Sequence, residues 1–234
     1  MELILIILLG FIGIKILPIY QNYRQSSYQV VSKNTFLKTI LDKGIYGEFL
    51  TFSYLEELSF YKRLMTNLYI PKKDGSTTEI DLVMLTQTGI YVFESKNYSG
   101  WIFGDENSSY WMQTLKGGQK NRFFNPIIQN RGHIEALKAV LKLDDITLFK
   151  SYIVFSERCE FKKMNVASAS VKVLKRNALL RTIQEVVEDS PDKLTIDEVN
   201  QLYFKLVKYA IVDEITKTAH IESINSYKKS QNNK

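Results

Sequence analysis

The sequence predicts a mixed α/β (α+β) domain, a central mixed sheet flanked by helices, behind an N-terminal transmembrane helix. Helical and strand-like periodicities alternate along the 234 residues in the order helix, three strands, helix, two strands, two helices. Apolar residues make up 45% and charged residues 24%, the proportions of a globular chain rather than a disordered one. The first twenty residues stand apart as a nearly unbroken apolar run.

That run extends from Leu3 to Ile14 and continues past Lys15 to Tyr20. A helix of about 18 residues spans about 27 Å, close to the ~30 Å hydrocarbon core. Lys15 sits near one end and can snorkel to the headgroups, and Tyr20 and Tyr23 suit the interface beyond. A cleaved signal peptide would carry a basic start and a small-residue cleavage site; here Glu2 precedes the run and no such site follows. A buried core helix would show polar positions at helical spacing. Lys15, Arg24, Lys33 and Lys38 all lie on the C-terminal flank, so the positive-inside rule predicts a single-pass protein with its soluble part on the cytoplasmic side. Cys159 is the only cysteine, which excludes an intrachain disulfide and agrees with that compartment. With only His133 and His220, a His-rich zinc site is not expected. Lys and Arg outnumber Asp and Glu by 31 to 25, a basic excess compatible with nucleic acid or anionic lipid.

After the anchor at 1–20, the polar residues 21–34 read as a linker. The domain core is expected over 35–145, completed or extended by strands and helices over 146–225, with a frayed tail at 226–234. Helical spacing runs from Asn34 to about Lys62, broken at Gly44. Strands are predicted over Leu64–Ile70, Thr78–Leu85 and Ile90–Lys96. Residues 97–125 read as loop, rich in Gly, Ser and Asn. A helix follows Pro126 to Leu143, strands cover Tyr152–Phe155 and Val171–Leu174, and Asn177–Glu188 is helical. Thr195 and Glu198 form a capping box that opens the last helix.

The chemistry concentrates between Glu79 and Lys96. Side chains alternate along a strand, so Glu94 and Lys96 share a face. If Gln87 and Thr88 form the turn, Leu85 faces Ile90, Val83 faces Val92, and Asp81 faces Glu94. Carboxylates opposed at ~5 Å repel one another, and a hard divalent cation held by one or two carboxylates and waters would resolve the conflict. The alternative is a solvated polar face on which Lys96 pairs with Glu79.

Gly47-Glu48 on a helix, Asp81 on one strand and Glu94-Ser95-Lys96 on the next resemble the PD-(D/E)xK nuclease superfamily. More specifically, they are similar to the nuclease-related domain (NERD) family. The similarity continues through Gly100-Trp101-Ile102-Phe103-Gly104, Trp111-Met112-Gln113 and Asn125-Pro126-Ile127-Ile128-Gln129, covering roughly residues 43–142. It implies a restriction-endonuclease-like sheet flanked by helices and phosphodiester hydrolysis with Mg²⁺ (or Mn²⁺). It also implies Asp81 and Glu94 as metal ligands, Lys96 orienting the attacking water, Glu48 as a further acidic ligand or a carboxylate just behind the ligands, and Gln129 as a polar accessory. Ile80 stands where the wider superfamily often has proline.

Asn107 to Ile134 contains no acid. Its Lys116, Lys120, Arg122, Arg131 and Trp111 are the expected nucleic-acid contacts, cations for phosphates and a ring for stacking. DNA is favoured over RNA as the partner. A second acid-free stretch, Phe161–Gln184, carries Lys162, Lys163, Lys172, Lys175, Arg176 and Arg181 and could face anionic lipid. Two other function classes remain open: a catalytically inactive binding module, and a membrane assembly protein acting through its last helix.

Overall fold

The computed structural model describes residues 2–72, 74–210 and 218, with side chains from residue 13 onward. Helix α1 (Glu2–Gln25) leads into α2 (Tyr28–Ser32), α3 (Phe36–Leu41) and α4 (Lys43–Glu56). Asp42 ends α3 and caps α4, accepting from Gly44 N and Ile45 N at 2.7 and 3.0 Å. The antiparallel strands β1 (Arg63–Pro71), β2 (Thr77–Thr86) and β3 (Gly89–Lys96) follow. Next come β4 (Gly100–Asp105), β5 (Tyr110–Thr114) and β6 (Lys120–Phe124), then α5 (Pro126–Leu141). Strands β7 (Phe149–Phe155), β8 (Cys159–Asn165) and β9 (Val171–Lys175) precede α6 (Leu179–Glu188) and α7 (Ile196–Ala210).

These strands form two mixed sheets flanked by helices, where the sequence suggested one. The larger has the order β1-β2-β3-β7-β9, with β7 parallel to both β3 and β9. The smaller has the order β6-β5-β4-β8, and its first three strands in the chain, β4 to β6, occupy the stretch expected to be loop. Its strands are short and divided by Gly, Ser and Asn turns, which hides their alternation. Its core is aromatic: Trp111 stacks on Phe155 at 6.0 Å and 5°. A Cβ on Gly104 would come within 2.6 Å of the Trp111 ring, so glycine is required where β4 passes the indole.

On one face of the larger sheet, α5 and α7 cover Met65, Ile80, Val83, Leu85, Ile90 and Val92. On the other, α4 and α6 cover Leu82, Met84, Tyr91 and Phe93. Tyr23 and Tyr28 join this second core, 2% and 0% exposed, and the Tyr23 hydroxyl donates to Asn34 O. The segment expected to be a linker is therefore packed structure, because its tyrosines carry enough ring surface to belong to the core. The capping box forms as expected: Glu198 Oε2 accepts from Thr195 N at 2.8 Å, and Thr195 Oγ1 from Glu198 N at 3.2 Å. Among the described residues no helix is long and apolar enough to cross a membrane. Most of the run expected to do so, residues 3–12, has its side chains outside the description, and the expected tail at 226–234 lies outside it entirely.

Candidate active site

The turn between β2 and β3 fixes the register. Thr86 pairs with Gly89, Leu85 with Ile90 and Val83 with Val92, and the ladder ends at Leu82 with Phe93. One step further, the Asp81 carboxylate reaches across to β3 and accepts the Ser95 N–H at 2.9 Å. On β3, Glu94 and Lys96 point to the α5 side, and Lys96 Nζ contacts Glu94 Oε1 at 2.6 Å. Nζ also donates to Gln129 Oε1 at 3.2 Å.

Asn125 opens α5, accepting from Ile127 N at 2.9 Å. Its amide donates to the carbonyls of Asp105, Glu106 and Ser108, which ties the helix start to the smaller sheet. Asn130 then docks α5 onto the larger sheet through Val92 O and Ser151 Oγ, at 2.9 and 2.8 Å. These two anchors bring Gln129 and, one turn later, His133 over the end of β3.

His133 is a site residue that the sequence reading set aside. Its Nε2 lies 3.0 Å from Glu94 Oε2, and its Nδ1 lies 2.9 Å from Thr78 Oγ1. A carboxylate can only accept, so Nε2 donates to Glu94. Gln129 and His133, four apart on one helix face, were the available signal. Each Glu94 oxygen therefore has its own donor, Lys96 or His133.

Glu48 enters from α4 at the rim. Gly47 before it permits the approach: a Cβ there would come within 2.6 Å of Asn97 Cβ. Thr51, one turn on, donates to Gly47 O and lies 3.2 Å from Ser95 Oγ. Arg176 Nε adds a bond to the same threonine at 3.2 Å. Thus α4, β3 and the segment after β9 are locked together directly behind the site.

The electrostatics sort the carboxylates. Burial, then the charges of Glu79, Glu94 and Asp42, push Glu48 up to about 8. Burial, then Glu94 and Glu48, push Asp81 well above the ordinary aspartate value. Burial also works against ionised Glu94, but Lys96 and His133 outweigh it and hold Glu94 below its ordinary value. Burial opposes the Lys96 ammonium, yet Glu94 and Asp81 raise its pKa further still. The cleft without a cation thus holds an ionised Glu94, a charged Lys96, and two carboxyls that favour their protons.

The donor set fits a hard cation. Every candidate ligand is a carboxylate oxygen, and Mg²⁺ or Mn²⁺ accepts one or two of these with waters in the remaining positions. Among the described residues no three His, Cys, Asp or Glu side chains are arranged to enclose one ion, so a two-carboxylate, water-rich site is the form that matches.

The expected nucleic-acid contacts divide. Lys116, Lys120, Arg122 and Arg131 are exposed, with Arg122 over the Tyr110 ring at 4.3 Å. Trp111 is 1% exposed, and its Nε1 donates to Asp105 O at 3.0 Å. It is a core residue, not a stacking platform, because β5 alternation turns it inward while Tyr110 and Met112 face the other way. Arg176 likewise leaves the proposed lipid-facing set: it is 1% exposed and pairs with Glu157.

The chain belongs to the nuclease-related domain (NERD) family, whose model matches residues 43–156. It is 32% identical over 187 residues to an uncharacterised protein of Bacillus anthracis, covering 79% of this chain and 84% of that one. No solved structure matches the chain.

Proposed function

We propose that this protein is a Mg²⁺- or Mn²⁺-dependent hydrolase of phosphodiester bonds in DNA or RNA, held by α1 at the cytoplasmic face of a membrane. The observation that supports it is the convergence of Glu48, Asp81, Glu94, Lys96 and Gln129 at the end of β3. Asp81 and Glu94 would hold the ion, with Glu48 adding negative charge beside them rather than completing a third ligand. When bound, the ion lowers the pKa of a coordinated water and offsets charge on the phosphoryl oxygens. Lys96 stays protonated at Nζ across the neutral range, so it serves as a hydrogen-bond donor and fixed positive charge, not as the base. Gln129 Oε1 and Glu94 Oε1 aim that ammonium, and His133 fixes the other Glu94 oxygen. Exposed Lys116, Lys120, Arg122 and Arg131 supply phosphate contacts beyond the scissile bond. The anchor reading is supported by the apolar run and the basic residues that follow it.

The test uses the full chain in detergent, because a chain beginning at Lys33 would lose Tyr23 and Tyr28 from the core. Labelled DNA and RNA are incubated with Mg²⁺, Mn²⁺ or EDTA. Cleavage that needs the cation and disappears in Asp81→Asn is expected. Absence of cleavage together with no cation-induced rise in Tm would overturn the reading.

A further inference from the structure

Seven of the twelve large apolar side chains exposed among the described residues fall between Ile14 and Leu41. Two of them, Leu37 and Leu41, stand one turn apart on the same face of α3, 65% and 78% exposed. The opposite face of this short helix is spoken for. Thr39 is fully buried, and Phe36 packs on Tyr20 and Tyr23 of α1 at 5.0 and 5.4 Å. So α3 lies against the very end of the apolar helix and turns two leucines outward beside it.

Charge distinguishes what could cover them. From Leu3 to Leu41 there is no acid, while Lys15, Arg24, Lys33 and Lys38 are present; all four are exposed. The acid bordering the face, Asp42, is engaged in capping α4. A second copy related by a two-fold axis would set Lys33 and Lys38 against their own counterparts, with the nearest acids, Asp42 and Glu48, committed to the α4 cap and to the acidic cluster. An anionic bilayer meets both demands, taking leucines below the headgroups and lysines among them.

We propose that the outer face of α3, Leu37 and Leu41 with Lys33 and Lys38 around them, seats the domain on an anionic lipid surface. This rests on the reading that α1 enters the bilayer. The α3 contact is a second point of attachment, and it fixes how the domain is tilted on the membrane. Because α3 runs directly into α4, which carries Glu48, the seating also sets the height of the acidic cleft.

The experiment places a fluorophore on single cysteines in the full chain. Cys159 is 2% exposed, and unlabelled wild type verifies that it does not react. Ile14→Cys reports the anchor, Leu37→Cys and Leu41→Cys report the α3 face, and Lys205→Cys on α7 reports the bulk of the domain. Each is reconstituted into phosphatidylcholine–phosphatidylglycerol vesicles carrying quenchers at shallow or deep positions. Quenching at 37 and 41 should be stronger from the shallow than from the deep quencher, since an interfacial apolar face lies ~5–10 Å into the headgroup boundary. Position 14 should respond to the deep quencher and position 205 to neither. Quenching at 14 with none at 37 or 41 overturns the α3 contact and leaves the anchor standing. Quenching at none of the four removes the anchor, and the α3 contact with it.

Discussion

Replacing Glu48 with Gln tests the electrostatic account of the cleft without its cation. The folded carboxyl titrates at about 8 against an ordinary 4.5, through burial and the charges of Glu79, Glu94 and Asp42. A group whose pKa is raised on folding keeps its proton in the folded state after the unfolded chain has released it. Its contribution is therefore fully present below about pH 4.5 and is lost as pH rises through 8. At about 1.4 kcal/mol per unit, the loss is at most about 3–4 kcal/mol at pH 7 and about 5 kcal/mol above pH 8. Glutamine keeps the shape and has no proton to lose. In EDTA the variant should melt with wild type near pH 4 and progressively above it as pH rises. The gap at pH 7 should reach up to about 10 °C, at roughly 2–4 °C per kcal/mol for a chain of this size. Saturating Mg²⁺ should flatten the wild-type profile, because a cation then replaces the proton that the cluster otherwise demands. Melts of the full chain in detergent across about pH 4 to 9 supply the readout. Two parallel profiles in EDTA would refute the reasoning and show that Glu48 faces ordinary solvent.

Asp81→Asn keeps an acceptor for the Ser95 N–H and removes a ligand charge. It should hold or raise apo stability, abolish the Mg²⁺-induced rise in Tm, and eliminate cleavage; an unchanged Mg²⁺ shift would remove Asp81 from the metal set. Trp111→Ala should cost about 3–5 kcal/mol by emptying the core of the smaller sheet, seen as a lower urea midpoint. Full stability with weakened nucleic-acid binding would instead return Trp111 to the contact surface. Replacing Lys116, Lys120 and Arg122 together by Ala should leave the fold intact and flatten the log–log salt dependence of DNA binding by up to ~3, about 0.9 per lost phosphate contact. A slope equal to wild type would place the nucleic acid elsewhere.

The larger sheet was legible because its signals are local. A two-residue turn sets the β2–β3 register, and alternation puts Glu94 and Lys96 on one face; Asp81 lies past the last ladder pair, Leu82 with Phe93, and meets β3 through its carboxylate instead of by direct opposition to Glu94. The helix after Pro126 and the Thr195–Glu198 capping box are equally local. What escaped detection depends on partners distant in sequence. His133 becomes a site residue only when Asn130 docks α5 onto Val92 and Ser151. In the smaller sheet β4, β5 and β6 pair locally, but strands of five or six residues between Gly, Ser and Asn turns leave little alternation to read, and β8 joins β4 from more than fifty residues away. Tyr23 and Tyr28 looked polar among Gln, Ser and Asn because nothing nearby announces the Phe49 and Phe52 rings that receive them. Trp111 among lysines and arginines suggested stacking on bases, when its real partner is Phe155.

The burial of Tyr23 and Tyr28 has a mechanical consequence. Helix α1 is 24 residues long, about 36 Å at ~1.5 Å per residue. On the proposed anchoring, a bilayer core of ~30 Å would take all but about one turn of that length. Since the last turn of α1 is already fastened into the domain, no slack chain remains to act as a leash. A protein anchored this way rides flush on the lipid like a boss on a plate. It can spin and drift in the plane, but it cannot rise to search the volume above. Nucleic acid would have to come down to it, and only strands passing within a domain's thickness of the membrane would be within its reach.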